Sequence, residues 1–113
     1  MKISICQINT IVGDIENNKA KIIDGYKRGI VDKVDLVIFP ELSLVGYPPL
    51  DLVEKKEFRQ AAVKAAEEIA SITGKTGLIL SFLLYYCWFN NHPSIIWGML
   101  LIEINKFSIT KYI

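Results

Sequence analysis

The amino-acid sequence predicts an α/β fold in which three strands alternate with two helices, in the order β-α-β-α-β. Three short segments, residues 2–9, 35–39 and 77–82, carry hydrophobic side chains on both faces, which is typical of strands covered on each side. The two segments between them repeat apolar residues every three or four positions, as amphipathic helices do. A chain of 113 residues, 51% of them hydrophobic, has the length and the apolar content for one domain.

The first helix is predicted to begin at an N-cap, Asp14. Its apolar residues should face the core, and they are Ile15, Ile22, Tyr26 and Ile30. Asp24 and Arg28 lie four positions apart and should pair on its solvent side. Gly29 and residues 32–33 are expected to end the helix.

The second strand is predicted to end at Pro40, because proline lacks the N–H that a further ladder hydrogen bond needs. Residues 42–52 contain Gly46 and two prolines and are predicted to form a loop. The second helix follows, with apolar residues at steps of four and three positions: Phe58, Ala62, Ala65, Ile69 and Ile72. Gly74 is predicted to end it at the C′ position.

Residues 1–82 are assigned to the N-terminal part of one domain, and residues 83–113 to a divergent tail that could continue the same domain. In the tail, residues 99–104 and 107–112 flank the Asn-Lys pair at positions 105–106. This arrangement could form a β-hairpin.

Composition and charge exclude several classes of protein. Thirteen basic and twelve acidic residues give a net charge of +1, too little for the positive field on which nucleic-acid binding depends. Two distant cysteines make no disulfide framework, and the chain does not open with a signal peptide, so a cytoplasmic location is expected. The apolar run at residues 77–89 is shorter than the ~20 residues of a membrane-spanning helix, and no membrane association is expected.

Glu41 is a candidate functional residue because of its position. It lies one residue past the predicted carboxyl end of the second strand, where ligands bind in open parallel sheets. Beside Phe39 and Leu42 its carboxylate should be partly withdrawn from water, as suits a general base. A single acidic residue at a strand end is also compatible with a solvated or capping role.

The segment FPELSLVGYPPLDL, residues 39–52, closely resembles the segment around the glutamate of the nitrilase (carbon-nitrogen hydrolase) superfamily. Its YPP-x-DL ending is similar to the glutaminase domain of glutamine-dependent NAD synthetases. Gln7 and the stretch GDIENNKAKI at residues 13–22 also match that family's first strand and helix in order and spacing. The resemblance extends over residues 1–81 and implies part of a nitrilase-like αββα sandwich.

The resemblance implies roles for two residues. In the family a Glu, a Lys and a Cys act together, and Glu41 would be the general base for attack of the thiol on a glutamine carboxamide. The Lys stabilises the tetrahedral intermediate, and the ammonia passes to a separate ATP-using domain that amidates deamido-NAD. Tyr47 matches a position that helps to line the glutamine pocket, although a half-buried loop aromatic covering the core fits the sequence equally well.

The family's other two catalytic groups have no match in this sequence. The Lys belongs to a K-x-x-L-P-N-Y-like motif expected about where Ile113 ends the chain, and Lys111 falls inside a predicted strand. The catalytic Cys follows much later in the family. Cys87 lies in an aromatic run and Cys6 in a strand, so both are predicted to be buried, inert thiols.

No cofactor and no metal are predicted. Cys87 and His92 are too few ligands for a zinc site. Gly74, Lys75 and Thr76 imitate the end of a phosphate-binding loop, but Ile69 stands where the first glycine is required. The sequence therefore contains no recognisable ATP-binding or NAD-binding motif.

These observations predict an N-terminal fragment of the ammonia-supplying domain of a glutamine-dependent NAD synthetase, inactive alone. Two alternatives stay open: a non-enzymatic truncated or decayed gene product, and a fragment of another nitrilase-like amidase. The expected partners are glutamine in the intact domain, the remainder of a synthetase, and a second copy, because the apolar residues 77–86 favour association.

Overall fold

The computed structural model describes the backbone of residues 1–87, 93–103 and 106–110, and the side chains of residues 1–80. The predictions for His92 and Lys111 lie outside the described residues. The described elements are β1 (Ile3–Ile5), α1 (Ile15–Val31), β2 (Leu36–Ile38), α2 (Lys56–Ser71), β3 (Gly77–Cys87), β4 (Pro93–Glu103) and β5 (Lys106–Thr110). A 3-10 helix, Leu50–Glu54, interrupts the segment predicted as a loop.

The strands form one mixed sheet in the order β1-β2-β3-β4-β5. β1, β2 and β3 are parallel, with Ser4 opposite Val37 and Val37 opposite Leu78. β3, β4 and β5 are antiparallel, and β5 returns from β4 with Glu103 opposite Lys106. The predicted β-α-β-α-β order and the hairpin are confirmed, while β3 continues past its predicted end at residue 82.

α1 begins as predicted, because the Asp14 side chain accepts a hydrogen bond from the Asn17 N–H at 3.3 Å. Its predicted end at residues 32–33 is confirmed by the Asp32 C-cap, whereas the predicted part of Gly29 in that end is wrong. Gly29 is buried inside the helix, where a Cβ atom would lie 2.5 Å from Cγ2 of Val37. The helix therefore approaches β2 through this glycine, and Ile30, predicted to be buried, is turned outward and exposed.

α2 packs on the same face of the sheet as α1 through small side chains, its buried residues being Ala62, Ala65, Ala66 and Ile69. The prediction for its end is wrong by one position: the C-cap is Ile72, and Gly74 lies two residues beyond it. Tyr26 joins α1 to the segment between α2 and β3, since its hydroxyl donates to the Thr76 carbonyl at 2.7 Å and accepts from the Gly74 N–H at 3.0 Å. None of the described helices is long and apolar enough to cross a membrane.

The two faces of the described sheet differ in cover. Beneath the helices Val37, Leu78 and Leu80 are completely buried. On the opposite face Ile3 and Ile5 of β1 remain 45% and 74% exposed. The prediction that β1 is covered on both faces is therefore wrong for the described part of the chain.

Candidate functional site

The candidate site lies where β2 ends, in a segment that we call the second loop, residues 39–49. The Phe39 N–H still bonds to the Ile79 carbonyl at 3.1 Å, but Pro40 has no N–H with which to extend the ladder. Glu41 follows immediately and is exposed. The expected partial burial of its carboxylate is therefore not found, although the residue stands beyond the carboxyl end of a parallel strand.

The residues after Glu41 are buried, which is unusual for a loop. Leu42, Leu44 and Val45 are at most 1% exposed. The backbone folds into a turn in which the Gly46 N–H donates to the Leu42 carbonyl at 2.8 Å. Ser43, also buried, donates its hydroxyl to the Pro40 carbonyl. The apolar side chains and these hydrogen bonds fix the backbone on either side of Glu41.

A buried asparagine joins the second loop to the segment after β1, which we call the first loop, residues 6–14. Asn18 of α1 is fully buried, and its Nδ2 donates to the carbonyls of Ile11 at 2.8 Å and Leu44 at 3.1 Å. Its Oδ1 accepts from the Ile11 N–H at 3.0 Å. Every polar atom of the Asn18 side chain thus bonds to loop backbone.

Asn18 was not predicted from the sequence, although a signal was present. The residue lies three positions after Ile15 and four before Ile22, on the apolar stripe of α1. A polar side chain at a core position must find hydrogen-bond partners, since burial without them costs free energy. Here the partners are backbone groups of the two loops. A polar residue on the apolar stripe of the helix was therefore the sequence signal for the contact between them.

The two loops also touch directly. The Gly13 N–H donates to the Val45 carbonyl at 2.9 Å. Gly46 has a φ of +81°, and a Cβ atom there would lie 2.5 Å from Cα of Val12. Glycine is required at this position both for the left-handed backbone and for the close approach of the first loop.

Tyr47 follows this contact and is 66% exposed. The interpretation that Tyr47 covers the core is therefore wrong. Glu41 and Tyr47 are the exposed side chains on either side of the buried segment 42–46. The second loop thus exposes one carboxylate and one phenol to solvent, on either side of a buried backbone segment.

The prediction that Cys6 is a buried residue within the first strand is wrong, because β1 ends at Ile5. The Cys6 thiol is half-buried under α1, 3.9 Å from the Gly25 carbonyl. Cys87 lies at the end of β3. Among the described residues no three His, Cys, Asp or Glu side chains are grouped so that they could hold a metal ion.

The sheet and its second loop define a class of protein: the chain belongs to the carbon-nitrogen hydrolase family, whose model matches residues 2–112. Among individual proteins it is similar to the glutamine-dependent NAD(+) synthetase of Aquifex aeolicus, with 38% identity over 93 residues. That match covers 80% of this chain and 16% of the relative, so the chain spans a small part of the relative's length.

Solved structures show the same fold. The glutamine-dependent NAD+ synthetase of Acinetobacter baumannii superposes with a TM-score of 0.82 at 21% identity, over 97% of this chain and 20% of that one. An amidase from Nesterenkonia sp. superposes with a TM-score of 0.63 at 23% identity, over 91% of this chain and 39% of that one. The predicted fragment of a nitrilase-like fold is thereby confirmed.

Proposed function

We propose that this chain is the N-terminal part of a glutamine-hydrolysing domain that supplies ammonia to an NAD synthetase, with Glu41 as its general base. The observation that carries the proposal is the exposed carboxylate at the carboxyl end of β2, held on a buried loop. The relation to the Aquifex aeolicus synthetase supports glutamine as the substrate. A cytoplasmic location belongs to the same proposal.

The geometry suits a general base for a physical reason. Proton transfer requires a carboxylate that reaches the reacting groups yet stays in one position. In the second loop the backbone next to Glu41 is fixed by the Ser43 and Gly46 hydrogen bonds, whereas the carboxylate itself faces outward. The remaining groups of the reaction would approach from that outer side.

Tyr47 is proposed as a substrate-binding residue in the same site. Its exposed ring can contact the aliphatic part of a small amide, and its hydroxyl can exchange hydrogen bonds with polar groups. Replacing a binding residue weakens ground-state binding, so Tyr47→Ala should raise KM for glutamine more than it lowers kcat.

The function is testable in a chimera in which residues 1–113 replace the matching segment of the Aquifex aeolicus synthetase. Glu41→Gln should reduce glutamine-dependent NAD synthesis by ~10² to 10⁴-fold, the usual contribution of a general base. Synthesis from added ammonium bypasses amide hydrolysis and should be unchanged. Glu54→Gln, a matched change at the exposed end of the 3-10 helix, should leave both activities intact.

Retention of glutamine-dependent synthesis by Glu41→Gln within about tenfold of the parent chimera would contradict the role of this residue. The isolated 113-residue chain should release no ammonia from glutamine, because the Lys and Cys that would act with Glu41 have no counterpart in its sequence. Residues that act as a unit lose nearly all their effect when one is absent. Ammonia release that disappears in both Glu41→Gln and Cys87→Ala would instead show that Cys87 acts as a nucleophile.

A further inference from the structure

The residue that follows Glu41 adopts an unfavourable backbone conformation. Leu42 has a φ of +53°, in the left-handed region that residues with a Cβ atom rarely enter. Such conformations persist only where the surrounding structure imposes them, and they occur often at functional sites. The contacts that impose this conformation therefore also determine where the backbone directs the Glu41 side chain.

Some of these contacts lie within the second loop. The Leu42 side chain is buried, at 1% exposure. The Ser43 N–H and hydroxyl both donate to the Pro40 carbonyl, and the Gly46 N–H donates to the Leu42 carbonyl at 2.8 Å. These bonds close two overlapping turns, residues 40–43 and 42–46, and Glu41 lies inside the first. They fix the shape of the segment, whereas its position on the fold requires contacts with other elements.

Asn18 of α1 supplies one such contact directly. Its Nδ2 donates to the Leu44 carbonyl at 3.1 Å, across 26 positions of sequence and three residues after Glu41. Asn18 is fully buried, so water does not compete for this bond. A helix side chain thus fixes the second of the two turns in place.

Asn18 also fixes the second loop indirectly, through the first loop. Its Nδ2 donates to the Ile11 carbonyl at 2.8 Å, and its Oδ1 accepts from the Ile11 N–H at 3.0 Å. Two residues later, the Gly13 N–H donates to the Val45 carbonyl at 2.9 Å. The direct contact ends at Leu44 and the indirect one at Val45, so one side chain determines the position of two consecutive residues of the second loop.

We propose that Asn18 is a positioning residue for Glu41, which fixes the left-handed turn beside the carboxylate without itself touching the substrate. The inference rests on the proposed function, in which Glu41 is the general base. A base must lie within hydrogen-bond reach of the proton that it takes, and a displacement of about 1 Å can lower a rate by about a hundredfold. Asn18 should therefore affect the chemical step more than the binding of glutamine.

The test uses the chimera that carries residues 1–113 in the Aquifex aeolicus synthetase, with glutamine-dependent NAD synthesis as the measured activity. Asn18→Ala removes three hydrogen bonds to the loops. It should lower kcat by roughly 10 to 100-fold, while KM for glutamine rises by less than about threefold. Synthesis from added ammonium should be unchanged.

Tyr26→Phe is the matched control for the loss of stability. It removes two hydrogen bonds from another buried side chain of α1, and their partners, Thr76 and Gly74, lie outside both loops. This variant should be less stable than the parent, because backbone groups lose their partner. Its kcat for glutamine-dependent synthesis should nevertheless stay within about twofold of the parent value.

A double-mutant cycle separates positioning from folding. If Asn18 acts through the Glu41 carboxylate, Asn18→Ala should change kcat by less than about threefold in a chimera that already carries Glu41→Gln. Partial unfolding would instead lower kcat by the same factor in both backgrounds. Asn18→Ser retains a hydroxyl that can pair with one loop group, so it is the milder variant for the same cycle if Asn18→Ala does not fold.

The outcomes distinguish a failure of this inference from a failure of the proposed function. If Glu41→Gln alone leaves kcat within about tenfold of the parent chimera, the proposed function fails and the inference fails with it. If Glu41→Gln lowers kcat as expected, three results overturn the inference alone. They are a kcat in the Asn18 variants no lower than in Tyr26→Phe, a loss confined to KM, and an equal loss of kcat with and without Glu41→Gln.

Discussion

The first and second loops leave the same edge of the sheet after two short apolar strands, yet they are built differently. In the first loop Ile11 and Val12 are exposed despite their apolar side chains. In the second loop Leu42, Leu44 and Val45 are completely buried. The difference indicates that the apolar residues of the second loop stabilise its conformation. Glu41 is therefore exposed to solvent directly beside a buried segment of the loop.

Substitution of Gly46, at the contact between the loops, is expected to cause the largest loss in the free energy of unfolding. Gly46→Ala would force a left-handed backbone, which costs roughly 1 to 2 kcal/mol, and place Cβ against Val12 backbone, adding ~1 to 3 kcal/mol. The measurement is the free energy of unfolding in urea. Gly74→Ala is the matched control, because no atom lies within 4 Å of the added Cβ, and it should change stability by less than about 1 kcal/mol.

Substitution of Asn18 tests whether its hydrogen bonds to the two loops stabilise the fold. Asn18→Ala removes three hydrogen bonds and leaves the buried Leu44 carbonyl without its side-chain donor, so a loss of about 2 to 3 kcal/mol is expected. Amide hydrogen exchange should accelerate at Gly46 and Gly13, which lie in the joined loops. Asn17→Ala, on the exposed side of the same turn, should cost less; equal losses would show that the two loops do not depend on Asn18.

Sequence reasoning succeeded where periodicity decides the structure. Local patterns predict the succession of strands and helices along the chain. They also predict the Asp14 cap and the Asp24–Arg28 pair, whose charged groups lie 2.7 Å apart. It failed where tertiary contacts decide. Ile30 fits the apolar stripe of α1 as well as Ile22 does, but the close approach of Val37 places Gly29 inward and turns Ile30 outward.

The site was predicted in the same uneven way. The position of Glu41 could be inferred because Pro40 ends the strand and the surrounding residues match a family motif. The exposure of Glu41 could not be inferred, because the side chains of Leu42 and its neighbours turn into the core and do not surround the carboxylate. An apolar residue next to a candidate base indicates burial somewhere in the loop, without saying which side chain becomes buried.

Asp14 ends the first loop and should have a smaller effect than Gly46 or Asn18, because it is only partly covered. Asp14→Ala removes the acceptor for the Asn17 N–H at the start of α1 and should lower Tm by roughly 2 to 6 °C. Asp14→Asn keeps an acceptor oxygen and should lower Tm by less. A Tm unchanged in Asp14→Ala would mean that the cap contributes nothing to the folded first loop.

Lowering the pH should have the smallest effect on Tm. The effect should come from carboxylates of the first loop and of the helices. Hydrogen bonds from Asn17 lower the pKa of Asp14 below 3.8, and the hydrogen bond from Lys19 lowers the pKa of Glu68 below 4.5. A carboxyl group whose pKa is lower in the folded state stabilises that state above its unfolded pKa, and this contribution disappears as pH falls through the folded pKa. Tm should therefore be constant near neutral pH and fall below about pH 4.

Two variants assign that acid dependence. Asp14→Asn and Glu68→Gln should each flatten the decline of Tm below about pH 4, and together they should remove more of it than either alone. Glu41→Gln is the matched change of an exposed carboxylate in the second loop, to which no side chain of residues 1–80 forms an ion pair. A decline flattened by Glu41→Gln but not by Asp14→Asn would reverse the comparison between the loops, because the second loop would then depend on the charge it presents.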